Sequence, residues 1–491
     1  MRRIKSNVFV IIGILIITSS CNKFLDTDPL FTQDAENFFT KQSDYELALV
    51  GAYDLMQASF MNIWIGEIAS DNSIAGGESV SDSKGLHEID AMTMGGENNE
   101  LRSVFQWNYA GVTRANYILE NADNNVEFDG KDEIIAEAKF LRAYYYFQLV
   151  KYFGDVPLVV DKRLGAEEAT DIDRAKADDV YAQIENDLTD ASSVLDWNAE
   201  IKGHVTKGAT LSLLGKTYLY QGKYADCAST LDVVIVSGNY GLISDFNALF
   251  SVGNEGHSET VLDVEYSGLE GGSYQCLVCL EGNAAPGFHG IRQYDGPVYG
   301  DGNSYNLPTQ NLYNAYNSND TRRDATILDI DDFISKQPNS ETITYAIGGG
   351  GHTGYYNNKY IKRQGEIGLP DNDLTSPVNY KVIRYADVLL MAAEAHNQSG
   401  NDGKALEYVN EVRARVGLGG LSNSGDQLYE SILNERRLEL AGEGHRFFDL
   451  VRTGKAAESI EGFVESKNEL FPIPQVEIDL AGGNWSQNSN Y

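Results

Sequence analysis

The chain reads as mainly α-helical: a tetratricopeptide-repeat-containing helical superhelix interrupted by an irregular insert. Three observations lead there. Stretches 207–220 and 224–236 carry apolar residues at helical spacing, and Gln221-Gly222-Lys223 between them is too short for anything but an antiparallel hairpin. Leu214, Gly215, Tyr218, Gly222, Tyr224 and Cys227 fall at the offsets of a tetratricopeptide unit, with Cys227 at a position that wants a small, close-packed residue. A second pair, 385–398 and 403–415, repeats those offsets through Ala393, Gly400 and Ala405.

The remaining elements follow in chain order. Phe38, Phe39, Leu47, Leu49, Ala52 and Leu55 predict a helix within 34–56. Segment 71–99 is rich in Gly, Ser and Asp, has no clear period, and reads as a long loop. Helices are expected over 101–122 and 132–153, the second stopped by Gly154 with Pro157 soon after. Another spans 178–195, and a third helical stretch, 428–441, precedes 447–452. Long non-repeat segments separate the repeats, so the scaffold is not a continuous solenoid. The insert, 254–380, holds Gly271-Gly272, the run Gly348 to Gly351, and many tyrosines, Tyr274 and Tyr305 among them. Within it, 260–266 and 341–347 read as short strands and the rest as loops.

The 491 residues are 42% hydrophobic, enough to bury a core. The net charge of −34 repels phosphate backbones and anionic headgroups, so no nucleic acid partner is expected. Residues 1–20 form a secretory signal: Arg2, Arg3 and Lys5 precede an apolar run, Val8 to Ile17, too short to span a bilayer. Thr18-Ser19-Ser20 then lead into Cys21, an arrangement that resembles a bacterial lipobox with Cys21 as the lipidated first residue of the mature chain. Removing 1–20 takes away three positive charges and leaves −37. Cys276 and Cys279 form one C-x-x-C. Zinc would need a second pair or nearby His, which Gly271 to Leu280 lacks, so a local disulfide and two free thiols stay open.

Catalytic and cofactor motifs fail on context. Gly349-x-Gly351-x-x-Gly354 matches a dinucleotide fingerprint as a string, but Tyr355-Tyr356-Asn357-Asn358 does not open a helix. Walker A, G-x-S-x-G and H-E-x-x-H strings are missing. His445, between two helices, reads as structural, and Glu435, Arg436 and Arg437 as a packed ion-pair network. Asp329, Asp331 and Asp332 lack the Gly and distal Glu of an EF-hand and read as a solvated acidic turn. No cofactor and no metal are expected.

Five blocks carry a family resemblance. They are Ser20-Cys21-Asn22-Lys23-Phe24-Leu25-Asp26-Thr27-Asp28-Pro29; Ala136 to Phe147 running on to Phe153-Gly154-Asp155-Val156-Pro157-Leu158-Val159; Arg384 to Ala395 continuing through Val409 to Arg415; Glu435-Arg436-Arg437 with Gly444-His445-Arg446-Phe447-Phe448-Asp449-Leu450; and Leu470-Phe471-Pro472-Ile473-Pro474 with Glu477-Ile478-Asp479. Together they resemble the SusD/RagB outer-membrane lipoproteins, in family order from Cys21 to the C-terminus. The resemblance implies a SusD-like domain over 21–491, a lipid anchor on Cys21 at the cell surface, and a SusC-like TonB-dependent transporter as partner. It also implies glycan capture and delivery without catalysis.

Sugar rings present apolar C–H faces and a rim of hydroxyls, so their sites pair rigid aromatic faces with planar polar groups. The resemblance implies a site built from the early loop, 71–99, and the insert, 271–305. Asp71, Asn72, Asn98 and Asn99 are the polar candidates of the first. Trp64 and Trp107 flank it, each either a platform or a core residue. Arg292, Tyr294, Asp295 and Tyr299 cluster in the second, either as a binding surface or as a tyrosine-rich loop packed on itself; Arg363 is a further candidate. The negative charge favours a neutral glycan, of β-glucan or fructan type. A peptide receptor with the same transporter-lid role is the alternative, and a glycoside hydrolase would need two carboxylates about 5–9.5 Å apart in the cleft.

Overall fold

The computed structural model of the protein describes residues 38–160, 162, 163, 170–365, 371 and 373–491. The signal segment, Cys21 and the first four residues of the helix expected from 34 lie outside them. Gln42–Asp54 (α1) passes through a 3-10 segment, Leu55–Phe60, into Met61–Ile68 (α2). Segment 71–99, expected as loop, instead holds a strand, Ser73–Gly76 (β1), and a helix, Lys84–Asp90 (α3). Four residues of strand and two turns of helix are too short to print a period among so many Gly, Ser and Asp.

Helices Asn99–Leu119 (α4), Lys131–Phe153 (α5) and Ala177–Val194 (α6) follow close to their expected bounds. α5 packs against α4 on one side and α6 on another. It is buried on nearly every face from Ile134 on, as a helix surrounded by others should be. Tyr144, Tyr145 and Tyr146 are all fully buried in it. Their hydroxyls find partners: Tyr144 meets the Ser59 hydroxyl at 2.7 Å, and Tyr145 and Tyr146 donate to Ala52 O and Val159 O at 2.6 and 3.0 Å. Trp107, on α4, lies edge-on to Tyr145 with centroids 6.0 Å apart and is 2% exposed. It is a core residue and no platform: α4 turns that face inward onto α5.

Lys207–Tyr220 (α7) and Tyr224–Val236 (α8) form the predicted hairpin, and Cys227 is buried in it. The second pair is Tyr385–Gln398 (α9) and Asp402–Arg415 (α10). Gly222 and Gly400 turn the two hairpins at φ of +68° and +80°, which L side chains rarely adopt. α8 packs on α9, so the two repeats touch although more than 140 residues separate them in sequence. Gly425–Leu440 (α11) stacks against α9 and α10.

Between the repeats, Thr260–Val264 (β2) pairs antiparallel with Tyr380–Arg384 (β4), and Tyr305–Pro308 (β3) pairs antiparallel with β1. The strand expected over 341–347 is not formed; a 3-10 turn, Ser340–Thr342, and a single bridge from Thr344 to Asp295 occupy it.

Charged residues lock insert to scaffold. Arg384 donates to Glu259 at 2.9 Å, to Glu439 at 2.6 Å and to Glu443 at 2.8 Å. Arg322 reaches Glu435 and Glu439 at 2.6 and 2.9 Å, Arg415 also pairs with Glu439, and Lys359 meets Glu443 at 2.7 Å. All of these side chains are buried. Burial works against the charge on Glu439, yet three guanidiniums outweigh it and hold the carboxyl well below the usual range. His445, beside this network, is driven down to about 3 by burial and stays neutral.

Two outcomes follow for stability. Glu439→Gln leaves three buried guanidiniums short of their shared counter-charge and should cost about 3–5 kcal/mol in denaturant unfolding. Because the folded Glu439 pKa lies below its ordinary value of 4.5, its contribution is complete above about pH 4.5 and is lost as pH falls further, so the variant's acid limb should be the shallower one. Trp107→Ala opens a cavity and should cost about 3–5 kcal/mol by the same measurement.

Candidate functional site

The early loop and the insert meet, as the sequence led us to expect, but through few of the residues expected to carry the contact. β1 and β3 bring them together, with Gly76 opposite Tyr305. The glycine run then passes along the loop: Gly349 N–H donates to Glu78 O at 2.6 Å and Gly350 N–H to Gly77 O at 3.3 Å. A Cβ at Gly348 or Gly350 would collide with Gly77 O or Gly76 O. The run therefore serves backbone-to-backbone packing.

Arg292 closes the junction. It donates to Asn303 O at 3.0 Å and lies 3.6 Å from both Glu78 and Asp82. Tyr305 donates its hydroxyl to Asp82 at 2.7 Å, and burial together with that carboxylate raises the phenol well above its ordinary pKa. The Arg292 candidate thus sits at a surface junction of two acids and a backbone carbonyl.

Most other candidates have structural duties. Trp64 is 3% exposed, wedged 4.4 Å from the Phe288 ring, so it cannot offer a face to a sugar. Asn72 is buried between Glu67 and Arg437, and Asp71 is held by Arg446 and Arg437 at 2.7 and 2.9 Å. Asn98 is the N-cap of α4, accepting from Leu101 N–H at 3.1 Å. Asn99 is exposed as the first residue of that helix. Tyr294 and Tyr299 are buried in a small apolar cluster with Ile291, Leu328 and Tyr356, which settles the self-packed reading for these two rings. Asp295 is exposed but bridged through its backbone to Thr344. Arg363 is turned onto Asn358, 2.7 Å from its carbonyl.

The residue that sequence reasoning passed over is Tyr274. It is 59% exposed, the one aromatic ring among the described residues left mostly open to solvent. Its hydroxyl lies 3.5 Å from Asp373 and beside the Asn303 side chain, and its ring packs 6.3 Å from Phe288. Phe288 in turn touches Trp64 and Tyr305, so the exposed ring stands on an aromatic column rooted in the core. Cys276 and Cys279 form a disulfide just beyond it. Asp371 clamps the other side, accepting from Gly272 N–H and the Thr375 hydroxyl at 2.6 Å each. Lys362 completes the rim, 3.3 Å from Asp373. The signal was present in the sequence as two glycines and a C-x-x-C bracketing a tyrosine, the pattern of a short pinned loop.

This surface offers a rigid aromatic face with amide, carboxylate, ammonium and guanidinium groups around it, and Arg292 joins the Asn303 side to the Asp82 side. Among the described residues no cluster of three or more His, Cys, Asp or Glu is placed to hold a metal ion. The acidic turn has local partners: Asp329 caps a helix through Asp332 N–H, Asp331 accepts from Tyr345 and Asp332 pairs with Lys336.

Comparison with known proteins fits this architecture. The model of the SusD family matches residues 259–468, and a model described as starch-binding associating with outer membrane matches 23–219. A laminarin binding SusD-like protein superposes with a TM-score of 0.83 at 34% identity, over 92% of this chain and 100% of that one. Surface glycan-binding protein A from Bacteroides thetaiotaomicron, solved with laminarihexaose, gives 0.82 at 25% identity over 92% and 100%. SusD-like protein P2 of Formosa agariphila is 26% identical over 504 residues, 95% of this chain and 96% of its own. With a 34% identical relative matched along its whole length and the two family models falling on its two halves, the chain belongs to the SusD family.

Proposed function

We propose that this protein is a non-catalytic surface receptor for a neutral glycan, held at the surface around Tyr274 and passed to a SusC-like TonB-dependent transporter. The observation that carries the reading is the one aromatic ring left mostly open among the described residues, next to a disulfide, on a segment held by Asp371, with Asn303, Asp373 and Lys362 around it. A pyranose ring stacks its C–H face on such a surface while its hydroxyls reach the amide and carboxylate. Between the β-glucan and fructan types, the relatives named for laminarin and laminarihexaose favour a β-glucan. The net charge of −34 argues against anionic polymers. Lipidation at Cys21 would tether the protein to the outer membrane, in keeping with the description of the second matched family model.

Affinity electrophoresis and calorimetry of the mature chain against laminarin, inulin and alginate test this reading. Laminarin should retard and bind with a Kd on the order of micromolar to millimolar, alginate should not, and no reducing ends should be released. Binding to alginate alone, or to none of the three, would overturn it. Tyr274→Ala should weaken laminarin binding about tenfold, about 1.4 kcal/mol, without lowering the melting temperature.

Asp371→Ala frees the loop that carries the ring and should weaken binding several-fold with the ring intact, because the ordering lost from the free protein must then be made up on binding. Equal affinity in this variant would show that the Asp371 clamp has no part in presenting Tyr274.

A further inference from the structure

A crevice lies away from the Tyr274 surface, between the first helical hairpin and β2. It holds about 310 Å³, and its walls include Trp197, Lys202, Tyr240, Thr260 and Asp263. We propose that it is a separate carbohydrate site, taking a neutral sugar of about one or two rings with a ring face on Trp197. Its volume sits at the small end of ligand pockets.

The aromatic wall comes first. Trp197 follows α6 and is half-buried, in contrast to Trp64 and Trp107. It also borders a shallower hollow of about 620 Å³ with Asp232, Val233 and Val236, so open space meets the indole from two directions. Tyr240 is partly exposed on the same crevice, its hydroxyl 3.1 Å from that of Thr206.

The polar floor comes second. Asp263 is buried; its Oδ2 accepts from Lys381 at 2.6 Å, while Oδ1 has no hydrogen-bond partner. The Thr260 hydroxyl faces it without closing a well-formed hydrogen bond and is itself buried. Both atoms lie beneath the floor with almost no accessible surface, so the polar groups that line the crevice for a sugar's hydroxyls are the Thr206 and Tyr240 hydroxyls and the more exposed pair of Lys202 and Glu265.

Charge decides the ligand class. Each charged group here is already matched: Asp263 by Lys381, Glu265 by Lys202 at 2.7 Å, and His204 by Glu137 at 2.9 Å. No unmatched charge remains to call for an ionic ligand, whereas an aromatic face over hydroxyl and carboxylate groups suits a polyol ring.

The test uses the mature chain labelled with 5-fluorotryptophan, followed by fluorine NMR during titration with laminaribiose, cellobiose and sucrose. The Trp197 signal is assigned with Trp197→Phe, and the buried Trp64 and Trp107 serve as internal controls. At least one sugar should shift the Trp197 signal saturably, to the same extent in wild type and in Tyr274→Ala, and Tyr240→Phe should weaken that response about threefold to tenfold. A Trp197 signal unmoved by all three sugars would overturn the proposal, as would a shift that disappears in Tyr274→Ala. Weakened laminarin binding in Tyr274→Ala with the Trp197 response kept would separate this site from the Tyr274 surface.

Discussion

The carboxylate of Glu439 is the point on which the architecture closes. It stands on α11 and is shared by guanidiniums from three other places: Arg384 at the end of β4, Arg415 at the end of α10, and Arg322 in the insert. Apolar packing alone is non-directional and would let a loop-rich insert settle on the helices in several ways. Several buried, hydrogen-bonded ion pairs with fixed geometry admit one. Burying these charges is expensive, and the cluster is tolerable because each carboxylate is multiply paired. Glu259 and Lys359 extend it into the insert from two further points, so the insert is pinned at separated places along its length.

The surface around Tyr274 depends on that pinning. Its parts come from four stretches distant in sequence: Asp82 from the early loop, Tyr274 from the disulfide loop, Arg292 and Asn303 from the segment leading to β3, and Asp373 from near the end of the insert. The glycine run packs backbone to backbone along the early loop and brings its backbone against the junction. The aromatic column from Trp64 through Phe288 to Tyr274 transmits the rigidity of the core to the exposed Tyr274 ring. A rigid platform loses little entropy on binding, which suits a ligand whose individual contacts are weak.

What the sequence revealed and what it hid divide along physical lines. The hairpins at 207–236 and 385–415 were legible nearly to the residue because helical period, a turn too short for other topologies, and small residues at packing positions are all local signals. β1 and α3 were not, because each is stabilised by partners outside itself, β1 by β3 and α3 by Asn98, whose side chain donates to Gly85 O and to Glu88. The site suffered most. Trp64 and Trp107 stand near the right loop in sequence, but which face of a helix meets the core is fixed by the neighbouring helices, and both indoles turned inward. Tyr294 and Tyr299 were drawn into a local cluster, whereas Tyr274 stands open beside the Cys276–Cys279 disulfide, on a segment whose Gly272 N–H is held by Asp371.

The most direct test of the account is a crystal structure of the mature protein grown with a laminari-oligosaccharide. The account predicts a glucose ring lying over the open face of Tyr274, with its hydroxyls on Asn303 and Asp373. An oligosaccharide well ordered elsewhere on the protein, with the Tyr274 face bare, would contradict it.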